Sequence, residues 1–177
     1  WDAVEHYKQN AMNPERPKQR GIVQNPDTYF QSRESINVFY DRLPEIVESY
    51  MNKVNELKGT DYRLFNYYGA DDAEHVIVGM GSVSGLVKDT VDRLNEEGQK
   101  TGYLQVHLFR PFSKKHFLAE MPKSVKRISV IDRTKEPGGR DPLFLDVSAV
   151  YNNMENAPEI YGGRYGLSSK DVDHAQI

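Results

Sequence analysis

The sequence predicts an α/β protein, a three-layer α/β/α sandwich around parallel strands. Three observations carry that expectation. His75-Val76-Ile77-Val78-Gly79-Met80-Gly81 is a continuous apolar, β-branched run that ends in glycine, as a strand buried on both faces requires. Arg127 to Asp132 is a second strand of parallel type. Between and around these runs lie segments whose apolar residues recur every three or four positions, so the chain alternates strand and helix. Parallel neighbours then need crossover helices, which are right-handed.

The elements follow in order. Residues 1 to 40 are polar and turn-rich, with Pro14, Pro17, Gly21 and Pro26, and show no sustained period. They read as a connecting arm. Its aromatics, Tyr7, Tyr29, Phe30, Phe39 and Tyr40, are too many for a solvated linker, so the arm is expected to lie against another surface. Asp41 reads as a helix cap and Pro44 as a first-turn residue. The apolar positions Leu43, Ile46, Val47, Tyr50, Met51, Val54 and Leu57 then mark a helix up to Gly59.

Tyr62 to Tyr68 reads as a short strand, and the run from His75 as the central one. Ser82 is expected to cap a helix with one face formed by Val83, Leu86, Val87, Thr90, Val91 and Leu94, stopped at Gly98. Tyr103 to Phe109 is a further strand, broken by Pro111. Ser113 starts a short helix that Pro122 ends. Asp141-Pro142 is a cap and first-turn signature for a helix over Leu143 to Tyr151, although its β-branched content leaves a strand open. Glu159 to Leu167 adds a last strand.

Composition narrows the chemistry. With 177 residues the chain is long enough for one domain with its own core. Its 23 basic and 26 acidic residues leave a net charge of −3, which disfavours nucleic acid and anionic membrane surfaces as partners. No stretch approaches the roughly 20 apolar residues of a membrane helix. There is no Cys, so these residues offer no disulfide, iron–sulfur ligand or thiol nucleophile. The chain opens Trp1-Asp2-Ala3 without Met or a leader. It is expected to be either a processed product or a piece excised from something longer, and the excised, cytoplasmic piece is favoured because a secreted domain would more often carry disulfides.

Three constellations could carry function. Gly79-Met80-Gly81-Ser82-Val83-Ser84-Gly85 lies between a strand and a helix, where glycines permit a tight turn and free N–H groups could hold an anion, making Gly81 and Ser82 anion-site candidates. The acidic ribose ligand of a dinucleotide site is missing about 20 residues on, where Gln105, His107 and Arg110 stand instead. A stand-alone nucleotide- or anion-binding module is thus the alternative reading. Second, charge is uneven: 12 acidic and 6 basic residues between Asp41 and Gln99, against 9 basic and 3 acidic from Arg110 to Arg140. Such a split can orient domain docking. Third, Asp132-Arg133-Thr134-Lys135-Glu136-Pro137-Gly138-Gly139-Arg140 follows a strand's C-terminal end, where open sheets place their ligands, and a domain-contact role ranks first for it. The histidines are scattered without metal-ligand spacing, and no serine stands in a nucleophile elbow.

Several motifs in one order resemble a known family. Arg20-Gly21-Ile22 through Gln31, Arg33-Glu34, Asn37, Phe39-Tyr40-Asp41, Val76 to Ser82, Phe109-Arg110-Pro111-Phe112, Asp132 to Gly138 and Tyr161 to Leu167 resemble the second domain, with its entry segment, of pyruvate:ferredoxin (flavodoxin) oxidoreductases. Ile22 stands where that family usually has Thr. The resemblance implies a transketolase C-terminal-like domain with a mostly parallel five-stranded sheet and one antiparallel edge strand, Tyr62 to Tyr68. It implies an arm over 1–40, domain II over 41–167 and a tail over 168–177. The parent would oxidise pyruvate to acetyl-CoA with thiamine diphosphate, Mg, 4Fe-4S clusters and coenzyme A as co-substrate, and pass electrons to ferredoxin or flavodoxin. This segment would hold no cofactor and have no activity alone. Its partners would be other domains of the same polypeptide and the second subunit of a homodimer. The contact candidates are Arg110, Pro111, Phe112, Asp132, Arg133, Lys135 and Glu136.

Overall fold

The structure, a computed structural model, describes residues 1–17, 21 and 23–177. Arg20 and Ile22 of the entry motif lie outside the described residues. The chain forms two compact units, Trp1–Val38 and Phe39–Ile177.

The first unit departs from the expected irregular arm. It holds α1 (Asp2–Gln9) and α2 (Pro26–Ser35). Neither buries a residue, which is why no apolar period announced them. The signals were of another kind. Asp2 and Glu5 lie in the first turn of α1 and His6 and Lys8 in its last, as the helix dipole favours. Asn25 and Pro26 occupy the N-cap and first position of α2.

The second unit is the sandwich. Its sheet comprises β1 (Phe65–Gly69), β2 (His75–Met80), β3 (Thr101–Val106), β4 (Arg127–Asp132) and β5 (Glu159–Arg164), in the order β1-β3-β2-β4-β5. Only the β1–β3 pair is antiparallel. The run at His75 is the central strand, as its unbroken apolar character demands. The helices are α3 (Asn37–Lys58), α4 (Ser84–Glu96), α5 (Lys114–Glu120) and α6 (Pro142–Tyr151). Side-chain alternation sorts them onto two faces. Val76, Val78, Leu104, Val106, Ile128 and Val130 pack with Phe117 of α5, Val147 of α6 and, more peripherally, Val47 and Met51 of α3. Ile77 and Tyr103 point the other way, onto Val87 and Val91 of α4.

This division has a topological cause. The chain steps from β2 to β3 in one direction and from β3 to β4 to β5 in the other, so right-handed crossovers put α4 on one face and α5 and α6 on the opposite one. The direction reverses between β2 and β4. A crevice opens there beyond the strands' C-terminal ends.

Several boundaries differ from expectation. Helix α3 begins before Asp41, so Asp41 caps nothing and Pro44 lies inside the helix, its one buried residue. Burying the Pro44 ring outweighs the lost backbone donor. Strand β1 starts at Phe65, because Tyr62 is tied to the end of α3: Asn55 Nδ2 donates to Tyr62 O at 2.8 Å, and Asn55 Oδ1 accepts from Tyr62 N at 2.7 Å. Strand β3 begins two residues early, where Asn95 grips Thr101 through both backbone groups, and leaves the ladder where His107 and Leu108 turn onto Leu64 O. Ser82 caps no helix. Gly81–Val83 forms a 3₁₀ turn, and α4 follows it without a side-chain cap.

Among the described residues, one buried side-chain polar atom stands alone. The Tyr151 hydroxyl has no hydrogen-bonding group within reach, and burial pushes its pKa to about 12. Tyr151→Phe should therefore stabilise the fold by about 1 kcal/mol. That corresponds to a rise in melting temperature of roughly 2–4 °C, readable by calorimetry.

Candidate functional site

The crevice between β2 and β4 is walled by three loops. The first is the turn after β2. Gly81 has φ +77, a conformation L side chains resist, and the Ser84 hydroxyl closes the turn by donating to Gly81 O at 2.8 Å. The same hydroxyl shares a hydrogen bond of 2.9 Å with the buried Tyr103 hydroxyl, whose pKa burial raises to about 12. Gly79 is held to glycine by packing, since a Cβ there would lie 3.0 Å from Ile131 Cγ1. Strand packing thus accounts for Gly79 and the tight turn for Gly81, whereas nothing crowds Gly85.

The second loop leaves β4 at Asp132. This residue is 1% exposed, and its two carboxylate oxygens accept from the backbone N–H groups of Leu143 and Phe144, each at 3.2 Å. Asp132 thus caps α6 from outside the helix. Burial raises its pKa, opposed by those two hydrogen bonds. Asp141 holds the N-cap position, but its carboxylate instead pairs with Arg164 of β5 at 2.8 Å.

The third loop follows β5, and Arg133 joins all three. Its Nε donates to Gly166 O at 3.1 Å and its Nη1 to Ser82 Oγ at 3.4 Å. Tyr165 donates its hydroxyl to Met80 O at 3.2 Å across the same crevice. The open cleft between them measures about 300 Å³ and includes Lys170 and Asp171 in its wall. Arg133 spends its donors on neighbours within the domain, not on Glu136.

The expected contact residues therefore separate. Lys135 and Glu136 are exposed at the tip of the loop that Asp132 and Arg133 anchor. Arg110 is exposed too, stacked over the Phe109 ring at 4.9 Å and paired with Asp146 of α6 at 3.0 Å. Pro111 is half-buried. Phe112 turns inward, its ring 5.2 Å from Phe65 and 5.3 Å from Phe117. Phe112 and Asp132 thus stand as internal supports of the loops. Sequence reasoning missed Tyr165 and Gly166, whose approach to the crevice depends on β5 pairing with β4. Among the described residues, no three His, Asp or Glu side chains cluster as a metal site would need. No helix there is long and apolar enough to cross a membrane.

Comparison with known proteins agrees with the motif order. The chain is 55% identical over 172 residues to a pyruvate-flavodoxin oxidoreductase of Enterobacter agglomerans, covering 97% of this chain and 15% of that protein. A pyruvate-flavodoxin oxidoreductase of Klebsiella pneumoniae is 55% identical over 171 residues, 96% of this chain and 15% of the relative. A pyruvate:ferredoxin oxidoreductase of Moorella thermoacetica is 51% identical over 178 residues, 100% of this chain and again 15% of the relative. The chain spans about 15% of the length of the curated relatives it matches. Residues 73–177, which carry the sheet from β2 onward and all three crevice loops, match the family described as pyruvate:ferredoxin oxidoreductase core domain II, and the chain belongs to that family.

Proposed function

We propose that this chain is the second core domain of a larger pyruvate oxidoreductase, and that its work there is to present rigid loops to which neighbouring domains dock. The reading rests on one observation above the rest. Lys135 and Glu136 stand exposed on a loop whose base is locked by the buried Asp132 and by the Arg133 bridge to Ser82 and Gly166. A loop held this way exposes charge at little entropic cost on association. Arg110, clamped by Asp146, extends the presented surface.

In this reading the whole enzyme oxidises pyruvate to acetyl-CoA in the cytoplasm, as a homodimer, and passes electrons to ferredoxin or flavodoxin. Thiamine diphosphate supplies the carbanion-stabilising chemistry, with Mg to bind its diphosphate, 4Fe-4S clusters to carry electrons and coenzyme A as acyl acceptor. The residues here do not fit an iron–sulfur cluster or a bound metal ion. The sequence has no Cys to ligate a cluster, and no acidic or histidine cluster among the described residues suits a metal. On this reading the cofactors are held by other parts of the polypeptide, and this domain's part is docking.

The test compares two contexts. Lys135→Glu combined with Glu136→Lys should shorten the thermal-inactivation half-life of pyruvate oxidation by the whole enzyme by about tenfold, a loss of roughly 1.4 kcal/mol in the docked state. The same pair should leave the melting temperature of this chain alone nearly unchanged, since exposed substitutions stay within about 0.5 kcal/mol. An unaltered half-life would remove the docking role. Micromolar binding of a nicotinamide dinucleotide to this chain in calorimetry would instead support a nucleotide module built on Gly81 and Ser82.

A further inference from the structure

Helix α3 has two apolar faces, and the fold uses one. Pro44, Val47 and Met51 turn toward the sheet. A second stripe, Phe39, Leu43, Ile46, Tyr50, Val54 and Leu57, runs along the adjacent face at spacings of three and four residues, over about 27 Å. It is open to solvent: Phe39 is 74% exposed, Ile46 47%, Tyr50 62%, Val54 43% and Leu57 82%. Beside it a wholly apolar groove of about 380 Å³ is lined by Ile46, Val47, Tyr50, Met51, Val54 and Tyr62. Scattered exposed apolar residues need no explanation, whereas a contiguous stripe with a groove marks a binding surface. Three-four spacing is the spacing of a helix-packing seam.

Charge along the edges identifies the occupant. Arg42 and Lys53 flank the stripe on its outer side, within about 40° of it around the helix axis. Lys53 Nζ lies 4.6 Å from the centroid of the Tyr50 ring. The carboxylates of Glu45, Glu48 and Glu56 stand farther round, the first two facing Lys115 at 3.9 Å and His116 at 3.8 Å on α5. The stripe's outer border is therefore basic. A second copy of α3 packed antiparallel about a twofold axis would set Arg42 and Lys53 against their own equivalents, which repel. The relatives carry 85% of their length outside the matched segment (100 − 15), which leaves ample chain of the same polypeptide to cover the stripe.

We propose that the outer face of α3 seats an amphipathic helix from elsewhere in the same polypeptide, one with an apolar seam at three-four spacing and carboxylates along the flank facing Arg42 and Lys53. This rests on the reading of the chain as one domain of a larger enzyme, and it adds a surface on a different element from the crevice loops.

The test places the photo-cross-linking amino acid p-benzoylphenylalanine at Tyr50 in the whole enzyme, and separately at Lys135, with the captured peptide identified by mass spectrometry. The expected product at Tyr50 is an intramolecular cross-link to a peptide with that seam and acidic flank. Arg42→Glu with Lys53→Glu should cut its yield by about fivefold through like-charge contact. A cross-linked dimer through α3 of a second copy, capture of a peptide without the seam, or no capture would each overturn the proposal. If Lys135 captures a neighbouring domain while Tyr50 captures nothing, the helix seat fails and the docking role of the loops stands. If neither captures, both fail. Capture at Tyr50 alone keeps the helix seat and removes the loops.

Discussion

Asp132→Ala is expected to cost about 3 kcal/mol of folding stability, a large share of the 5–15 kcal/mol that holds a domain together. The first N–H groups of a helix have no partner within it. In α6 the Leu143 and Phe144 amides are satisfied by the two Asp132 oxygens at 3.2 Å, and Leu143 is fully buried. Asp141 cannot substitute, because its carboxylate is held by Arg164 at 2.8 Å. Alanine leaves one buried and one half-buried donor unpaired, at roughly 1–3 kcal/mol each. Asp132→Asn should fall between, since the amide offers one acceptor and turns its NH₂ toward the other donor. Urea unfolding of the three proteins checks the order; equal midpoints would show that Asp132 is not the cap.

The pH dependence carries a second signature. Burial raises the Asp132 pKa, so in the ordinary carboxylate range the folded chain binds more protons than the unfolded one. Its contribution to stability therefore falls as pH rises from the unfolded value through the folded one. Asp72 and Glu74 run the opposite way, because hydrogen bonds from Lys100 and Lys126 lower their pKa values, and what they contribute is lost as pH falls. The stability difference between the wild type and Asp132→Ala should thus be largest at low pH and shrink as pH rises through that window. In the whole enzyme the same variant should loosen the loop carrying Lys135 and Glu136, and so weaken docking as well.

What the sequence made legible is what neighbouring residues decide together. Strand β4 runs over the residues expected, Arg127–Asp132, because its apolar content and flanking polar turns are local. The central position of β2 follows from its unbroken apolar run, and α6 from Asp141-Pro142 at its start. Helices α1 and α2 were illegible to a reading by apolar period, since neither buries a face. In α3 the general rule for proline pointed to the first turn, while packing placed Pro44 in the interior. The candidate site divides similarly. The glycine turn and the loop after β4 were visible as motifs. That Arg133 reaches Ser82, 51 residues away, and that Asp132 caps a helix 11 residues on, depends on sheet order, which no local pattern encodes.

The second large effect is expected at Gly69→Ala, about 4 kcal/mol destabilising. Gly69 ends β1 opposite Gly102 of β3, with φ +121. An L side chain held in that region costs of order 1–3 kcal/mol. A Cβ there would also stand 2.6 Å from Thr101 O and 2.8 Å from Gly102 Cα, backbone atoms that no rotamer change moves. Retreat is blocked behind them, because Thr101 is held by Asn95 through N and O, and Thr101 O also accepts from Ala70 N at 3.1 Å. On the far side, a Cβ at Gly102 would overlap the Tyr67 ring, with Cζ at 2.6 Å. The two glycines are thus what lets the antiparallel edge strand close against β3 under α4. Gly98→Ala supplies the control: its φ is +86 but nothing lies within 4 Å, so it should lose only the conformational part, about 1 kcal/mol. Calorimetric melting of both variants separates overlap from strain. Should they fall equally, the contact with Thr101 is yielding and the edge of the sheet is softer than its hydrogen bonds imply.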